Sequence, residues 1–258
     1  RATTITFNIP GSGPHTITPT SALPEITNTV TINGYSQSGA SENTLTTGSN
    51  AVLKIVINGS SAGADVNGLT LASGSDGSTI QGLVIQGFDK RGIVLNSDNH
   101  TIRGNYLGTD ATGTTAVSNG SGMWLGSVSN VTIGGSDAGS RNVISGNATG
   151  LYLAGSSNNT VIGNYIGNNA SGTAAVGNTS MGIGMGNSAD NVIGGSTAGD
   201  RNLISGNQYG IYLFENNDGT QISGNYIGTD VTGTSAIGNS ITGIQGRSYD
   251  VTIGGSNA

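Results

Sequence analysis

The chain has 258 residues, of which 46 are glycine and only 9% are charged, far from the ~7% glycine and roughly 25% charge of an average globular domain. A formal charge of −6 with eight Lys and Arg in all leaves too little positive charge for a nucleic-acid partner, and without cysteine there are neither disulfides nor thiolate metal sites. No segment approaches the ~18 to 20 apolar residues that cross a bilayer as a helix, so no membrane insertion is expected.

The β-branched residues are abundant and spread along the chain, which speaks for ordered strands rather than disorder. The first segment, residues 1–66, holds all four prolines, at 10, 14, 19 and 24, between short strand-like runs such as Thr4–Ile9 and Val30–Asn33. A stack of repeats exposes unpaired backbone at its ends, so this segment is expected to form an N-terminal cap and irregular first coils. Arg1-Ala2-Thr3 opens no signal peptide; if the protein is exported, the signal is expected upstream.

From residue 67 to 258 the text repeats. Gly-Asn-Tyr-(Leu/Ile)-Gly occurs at Gly104–Gly108, Gly163–Gly167 and Gly224–Gly228. Short strands open at Gly68, Gly92, Gly122, Gly150, Gly182, Gly210 and Gly243, about 24 to about 33 residues apart. Each interval contains three strand signals, for instance Gly150–Leu153, Thr160–Ile162 and Asn164–Gly167. Three strands per turn predict an all-β, single-stranded parallel β-helix of about eight or nine coils, ~40 Å long at the ~4.8 Å spacing of paired strands.

Apolar columns support that reading. The second strand offers Ile80, Ile102, Ile133, Ile162, Ile193, Ile222 and Ile253, and the third Ile85, Leu107, Ile144, Ile166, Ile204 and Ile227. In the first strand, pairs such as Leu151/Leu153 and Ile211/Leu213 are expected to point inward. Period two then turns Thr70, Val94, Trp124, Tyr152, Gly184, Tyr212 and Gln245 toward solvent, with Gly184 leaving a gap. Three residues before the second-strand column stand Asn99, Asn130, Asn159, Asp190 and Asp250, read as a column of turns closed by their own side chains.

Every second coil carries an insertion, Thr109–Thr114, Asn168–Thr173 and Thr229–Thr234, expected to project from one edge about 9.6 Å apart. Arg141-Asn142 and Arg201-Asn202 mark the alternate coils, giving a two-coil unit of about 60 residues. The last residues, Val251–Ala258, stop inside a copied phrase, so continuation of the parent protein or end-to-end stacking is expected.

The opening Ile5–Pro14, followed by Ile32–Tyr35, Arg141–Asn147 and Gly224–Asp230, resembles bacterial secreted right-handed parallel β-helix repeat proteins, a group that includes carbohydrate-binding and sugar-hydrolysing domains. The resemblance implies a right-handed coil, an extracellular or cell-surface location and a polysaccharide or surface-glycan partner. It does not by itself imply an activity, because the fold hosts lyases, hydrolases and adhesins alike.

The Asn-Thr-Asp and Gly-His-Gly phrases that the resemblance would demand of a pectin hydrolase do not occur. A Ca²⁺ site could use Asp110 or Asp230 with loop carbonyls, but the middle insertion has Asn169 at that position, so no cofactor is required and a turn cap is the plainer reading. Glu215 with Asp218, near Arg247 and Tyr209, is the pair that could act as acid and base in a polysaccharide lyase or glycoside hydrolase. Trp124, Tyr152, Tyr212 and Phe214 form instead a candidate sugar-binding strip. The favoured expectation is a rigid stalk or adhesion module with weak polysaccharide affinity on the first-strand face; the enzyme is the alternative.

Overall fold

The structure is a computed structural model that describes residues 3–254. Among these, 24 strands are wound into three parallel sheets of nine, eight and seven strands, each strand pairing with its equivalents one coil away. One coil shows the plan: Thr149–Ala154 belongs to the first-strand sheet, Thr160–Ile162 to the second and Tyr165–Ile166 to the third. The first segment already obeys it. Thr3–Thr6 pairs with Val30–Asn33 in the second sheet, and His15–Ile17 pairs with Ile55–Asn58 in the third.

Core columns run along the axis between the sheets. Ile85, Leu107, Ile144, Ile166 and Ile204 are aligned and fully buried, with Ile227 next in register. Met123/Leu125, Leu151/Leu153, Ile183/Met185 and Ile211/Leu213 fill the first-strand side, as their alternation requires. Full burial of each such side chain is worth about 1.5–3 kcal/mol, and only the neighbouring coils can supply it.

One position of the second column is corrected. Val161, not Ile162, pairs with Ile133 and Ile193 and is fully buried, while Ile162 faces outward and is half-buried. The turn column shifts with it, from Asn159 to Asn158. Gly77, Asn99, Asn130, Asn158, Asp190, Gly219 and Asp250 all take φ between 55° and 74°, the left-handed region that Gly, Asn and Asp tolerate best. Of the closing phrase Val251–Ala258, residues 255–258 lie outside the described residues.

Asn159 has a different role, and it exposes the principle that closes the corners. Its Oδ1 accepts from Val131 N at 2.9 Å, and its own N–H donates to Asn191 Oδ1 at 2.9 Å. Two longer ladders repeat this device. Asn105, Asn142, Asn164, Asn202 and Asn225 stand between the second and third strands, each amide nitrogen donating to the next Oδ1 at 2.9–3.3 Å. Asn119, Asn147, Asn178, Asn207 and Asn239 do the same between the third and first strands, at 2.9–3.2 Å. A corner must leave the sheet ladder, so its buried N–H and C=O groups need other partners; the stacked amides supply both kinds.

These ladders also account for the glycines that open the first strands from Gly92 to Gly210. A Cβ on Gly150 would lie 2.6 Å from Gly182 O and 2.9 Å from Asn178 Nδ2, and Gly182 and Gly210 meet the amides of Asn207 and Asn239 in the same way. From Gly92 to Gly210, each coil omits a side chain where its neighbour's asparagine must fit.

A second apolar layer covers the outside of the third sheet. Tyr106, Val143, Tyr165, Ala170 and Leu203 are buried there together with Leu53 and Val56. The insertions do not project from an edge. Their third residues, Ala111, Ala170 and Val231, join this layer, and the turns bond one another through Ala170 N to Gly113 O (2.8 Å) and Val231 N to Gly172 O (2.9 Å). Gly113, Gly172 and Gly233 allow each turn to lie flat on the ring of Tyr106, Tyr165 or Tyr226.

Residues 41–53 complete the layer. Ser41 and Val52 close a loop through two backbone hydrogen bonds of 3.0 and 2.9 Å. The loop lies along the flank: Gly48 N donates to Tyr165 Oη at 2.8 Å, and Ser49 Oγ and Tyr106 Oη are 2.9 Å apart.

Candidate functional site

The outward column of the first sheet has the register expected from its sequence, Thr70, Val94, Trp124, Tyr152, Gly184, Tyr212 and Gln245. Its aromatics are half-buried rather than free, because they pack on one another. Trp124 and Tyr152 stack with centroids 4.7 Å apart and planes 12° from parallel. The guanidinium of Arg91 covers Trp124 at 3.9 Å from the ring centroid. The indole therefore presents its edge to solvent.

The gap expected at Gly184 is filled. Tyr152 leans over it, so that a Cβ there would sit 2.7 Å from the tyrosine Cδ2. Phe214, from the turn after the strand, closes the row with centroids 6.0 Å from Tyr152 and 4.5 Å from Tyr212. Tyr209 meets Tyr212 edge-on at 5.1 Å. The glycine gives its neighbour's ring a seat.

Beside this wall runs an open trough of about 750 Å³. Its floor is the turn that follows each first strand, with Ser127, Gly155 and Asn187 in left-handed conformation and stacked through Ser127 N to Ala154 O (2.8 Å) and Gly155 N to Gly186 O (2.9 Å). Glu215 and Arg247 form its far side. Thus Trp124, Tyr152, Tyr212, Phe214, Glu215 and Arg247 all line one trough. Asp218 does not: it is exposed near the second-strand corner, where its carbonyl accepts from Asp190 N at 2.9 Å. Sequence reasoning missed the floor and Arg91. The turn residues could have been found as a column, since Ser127, Gly155, Asn187 and Asn216 occupy equivalent places and all have positive φ.

Asp110 and Asp230 lie on another face and serve their own turns. Asp230 Oδ1 accepts from Thr232 Oγ1 at 2.7 Å, Thr234 N at 3.1 Å and Ser235 N at 3.2 Å. Asn169 Oδ1 receives the equivalent bonds from Ser171 Oγ, Thr173 N and Ala174 N. The turn requires an acceptor and works without charge. Among the described residues, no three His, Asp or Glu side chains converge on a common point.

The acidic turns and one buried histidine set the response to pH. The Thr232 hydroxyl foremost, opposed by slight desolvation and helped by three backbone N–H groups, holds Asp230 at about 2. For Asp110, burial acts upward, but the Thr112 hydroxyl and the turn N–H groups outweigh it and the pKa is lowered. His100 is 1% exposed; burial pushes its pKa down despite Asp76, Asp98 and its hydrogen bonds. Its Nδ1 accepts from Ser78 N at 3.2 Å, leaving Nε2–H to donate to Ser97 Oγ at 2.9 Å. All three groups bind a proton more readily when unfolded, so acid destabilises the fold. We expect Tm to begin falling near the unfolded histidine value of about 6.5, and to fall again from about 4 toward 2 as the aspartates protonate. A Tm series over this range checks it, and His100→Asn, the residue type found at positions 159 and 191 of the same column, removes the upper limb.

Compared with known families, residues 55–256 match the one described as a right-handed β-helix region. Neither the curated proteins nor the solved structures returned a match. With three parallel sheets wound as successive coils and a family match over well over half its length, the chain belongs to the right-handed β-helix family.

Proposed function

We propose that this β-helix is a rigid, non-catalytic segment of a surface or secreted protein, a stalk or adhesion module, that holds an extended polysaccharide in the trough of its first-strand face. The observation that supports this is the trough itself, a shallow open channel with an aromatic wall and a polar floor of Ser127, Gly155 and Asn187. Sugars offer apolar C–H faces and hydroxyl edges, which suit such a wall and floor respectively. Tyr212, Phe214 and Tyr152 are the wall's contact residues; Trp124, covered on one face by Arg91 and on the other by Tyr152, supports them.

Cleavage by acid and base needs two carboxyl groups flanking the scissile bond. Among the described residues lining the trough, Glu215 is the single carboxylate, which favours binding over hydrolysis. Affinity electrophoresis against a panel of neutral and acidic polysaccharides, followed by the Tyr212→Ala/Phe214→Ala double variant, tests the proposal. Loss of affinity of about tenfold or more is expected. Undiminished binding by the variant, or none by the parent, would remove it, and sugar release that disappears in Glu215→Gln would replace it with the glycosidase.

A further inference from the structure

The flank of the third sheet holds one occupied and one open copy of the same recognition set. In the occupied copy, Arg141 donates to three carbonyls of the 41–52 loop: Leu45 O at 3.1 Å, Thr46 O at 2.9 Å and Gly48 O. Its guanidinium lies over Tyr165, 4.6 Å from the centroid, whose hydroxyl accepts from Gly48 N. Asn43 Nδ2 reaches Ala138 O at 2.9 Å. The loop is organised for this contact by its own bonds, since Asn43 Oδ1 accepts from Leu45 N and Asn50 N, and Ser41 pairs with Val52.

The next two-coil unit repeats the receiving side. Ala198, Arg201 and Tyr226 stand where Ala138, Arg141 and Tyr165 stand one unit earlier, and Arg201 again lies over its tyrosine, 4.1 Å from the centroid. These three, with Leu203 and Val231, line a cleft of about 220 Å³ whose other wall is Thr46, Thr47, Arg141 and Tyr165. Arg201 spends only Nε, on Gly224 O at 3.1 Å; among the described residues its terminal nitrogens and the Tyr226 hydroxyl have no hydrogen-bond partner. The 41–52 loop ends at the first copy.

We infer that the Arg201–Tyr226 cleft is a docking site for a peptide loop supplied by another chain, one that offers converging backbone carbonyls to the guanidinium and an N–H to the tyrosine oxygen. The loop bound in the first copy defines the chemistry. A planar fork of donors suits several carbonyls at once, and a loop closed by its own hydrogen bonds loses little freedom on docking. Val231 in place of Ala170 enlarges the apolar floor without altering the polar anchors.

The test uses the whole chain and a cyclised peptide of residues 41–52 as the probe, titrated by fluorescence anisotropy. Saturable binding is expected, weakened about tenfold or more in Arg201→Ala and a few-fold in Tyr226→Phe, with a similar loss in Arg201→Lys because the fork is gone. Trp124→Ala leaves it unchanged, which separates this site from the trough. No saturation at about 1 mM peptide, or equal affinity for the parent and Arg201→Ala, overturns the inference. Unchanged Tm in the Arg201 variants shows that a loss of binding is not a loss of fold.

Discussion

Asn147→Ala is expected to destabilise the chain by about 4 kcal/mol, a severe effect for an uncharged residue in a turn. Asn147 is fully buried and mid-ladder. Its Oδ1 accepts from Asn119 N at 3.2 Å and Asn119 Nδ2 at 3.1 Å, and its Nδ2 donates to Leu107 O, Ser145 O and Asn178 Oδ1 at 2.9–3.1 Å. Truncation orphans the Asn119 N–H and the Ser145 carbonyl and leaves a void where water has little room. Asn147→Asp keeps the acceptor but turns oxygens toward oxygens and buries a charge, so it should cost at least as much at neutral pH. Protonation restores a donor, so the Asp variant should recover relative to the parent on mild acidification. Urea midpoints at two pH values check both, and an Asn147→Ala chain within about 1 kcal/mol of the parent would show that the ladder is ornamental to stability.

Gly150→Ala should cost about 3 kcal/mol although Gly150 has ordinary backbone angles and alanine is compatible with a strand. The new methyl would meet Gly182 O and Asn178 Nδ2 at 2.6 and 2.9 Å, forcing two coils apart at a point where neither is flexible. Asn178→Ala should be costly for the reasons given for Asn147. Combining it with Gly150→Ala should lose less than the two single losses added, because both act on one contact. Strict additivity in thermal melts would argue that the glycine is required for some other reason.

The coil plan and the inward columns were legible because period two and the recurrence of Ile leave one register that buries them. The misplaced Ile162 shows where residue type misleads. Thr160-Val161-Ile162 offers two adjacent apolar residues, and matching Ile to Ile chose the wrong one. Counting back two residues from Gly104, Gly163 and Gly224 gives Ile102, Val161 and Ile222, the column that is buried. The aromatic strip was legible as a column, but the direction in which Tyr152 leans depends on rotamer and neighbour, not on spacing. The 41–52 loop was read only as part of a cap, since its partners lie roughly a hundred residues away and its own composition signals nothing but a turn. The recurring asparagines were visible throughout; their role was hidden because a turn-closing Asn158 and a ladder-forming Asn159 stand side by side.

The asparagine ladders also determine how such a protein can change its length. Each two-coil unit hands to the next the same acceptors, donors and glycine recesses that it received from the one before. Copying the 59 residues from 104 to 162 in tandem would therefore continue both ladders and their glycine recesses in register. For most folds, gaining sixty residues means inventing a new interface. Here extension by duplication reuses the ladder contacts already present, so reach can change without a new corner design, while the outward residues of each new copy remain free to diverge.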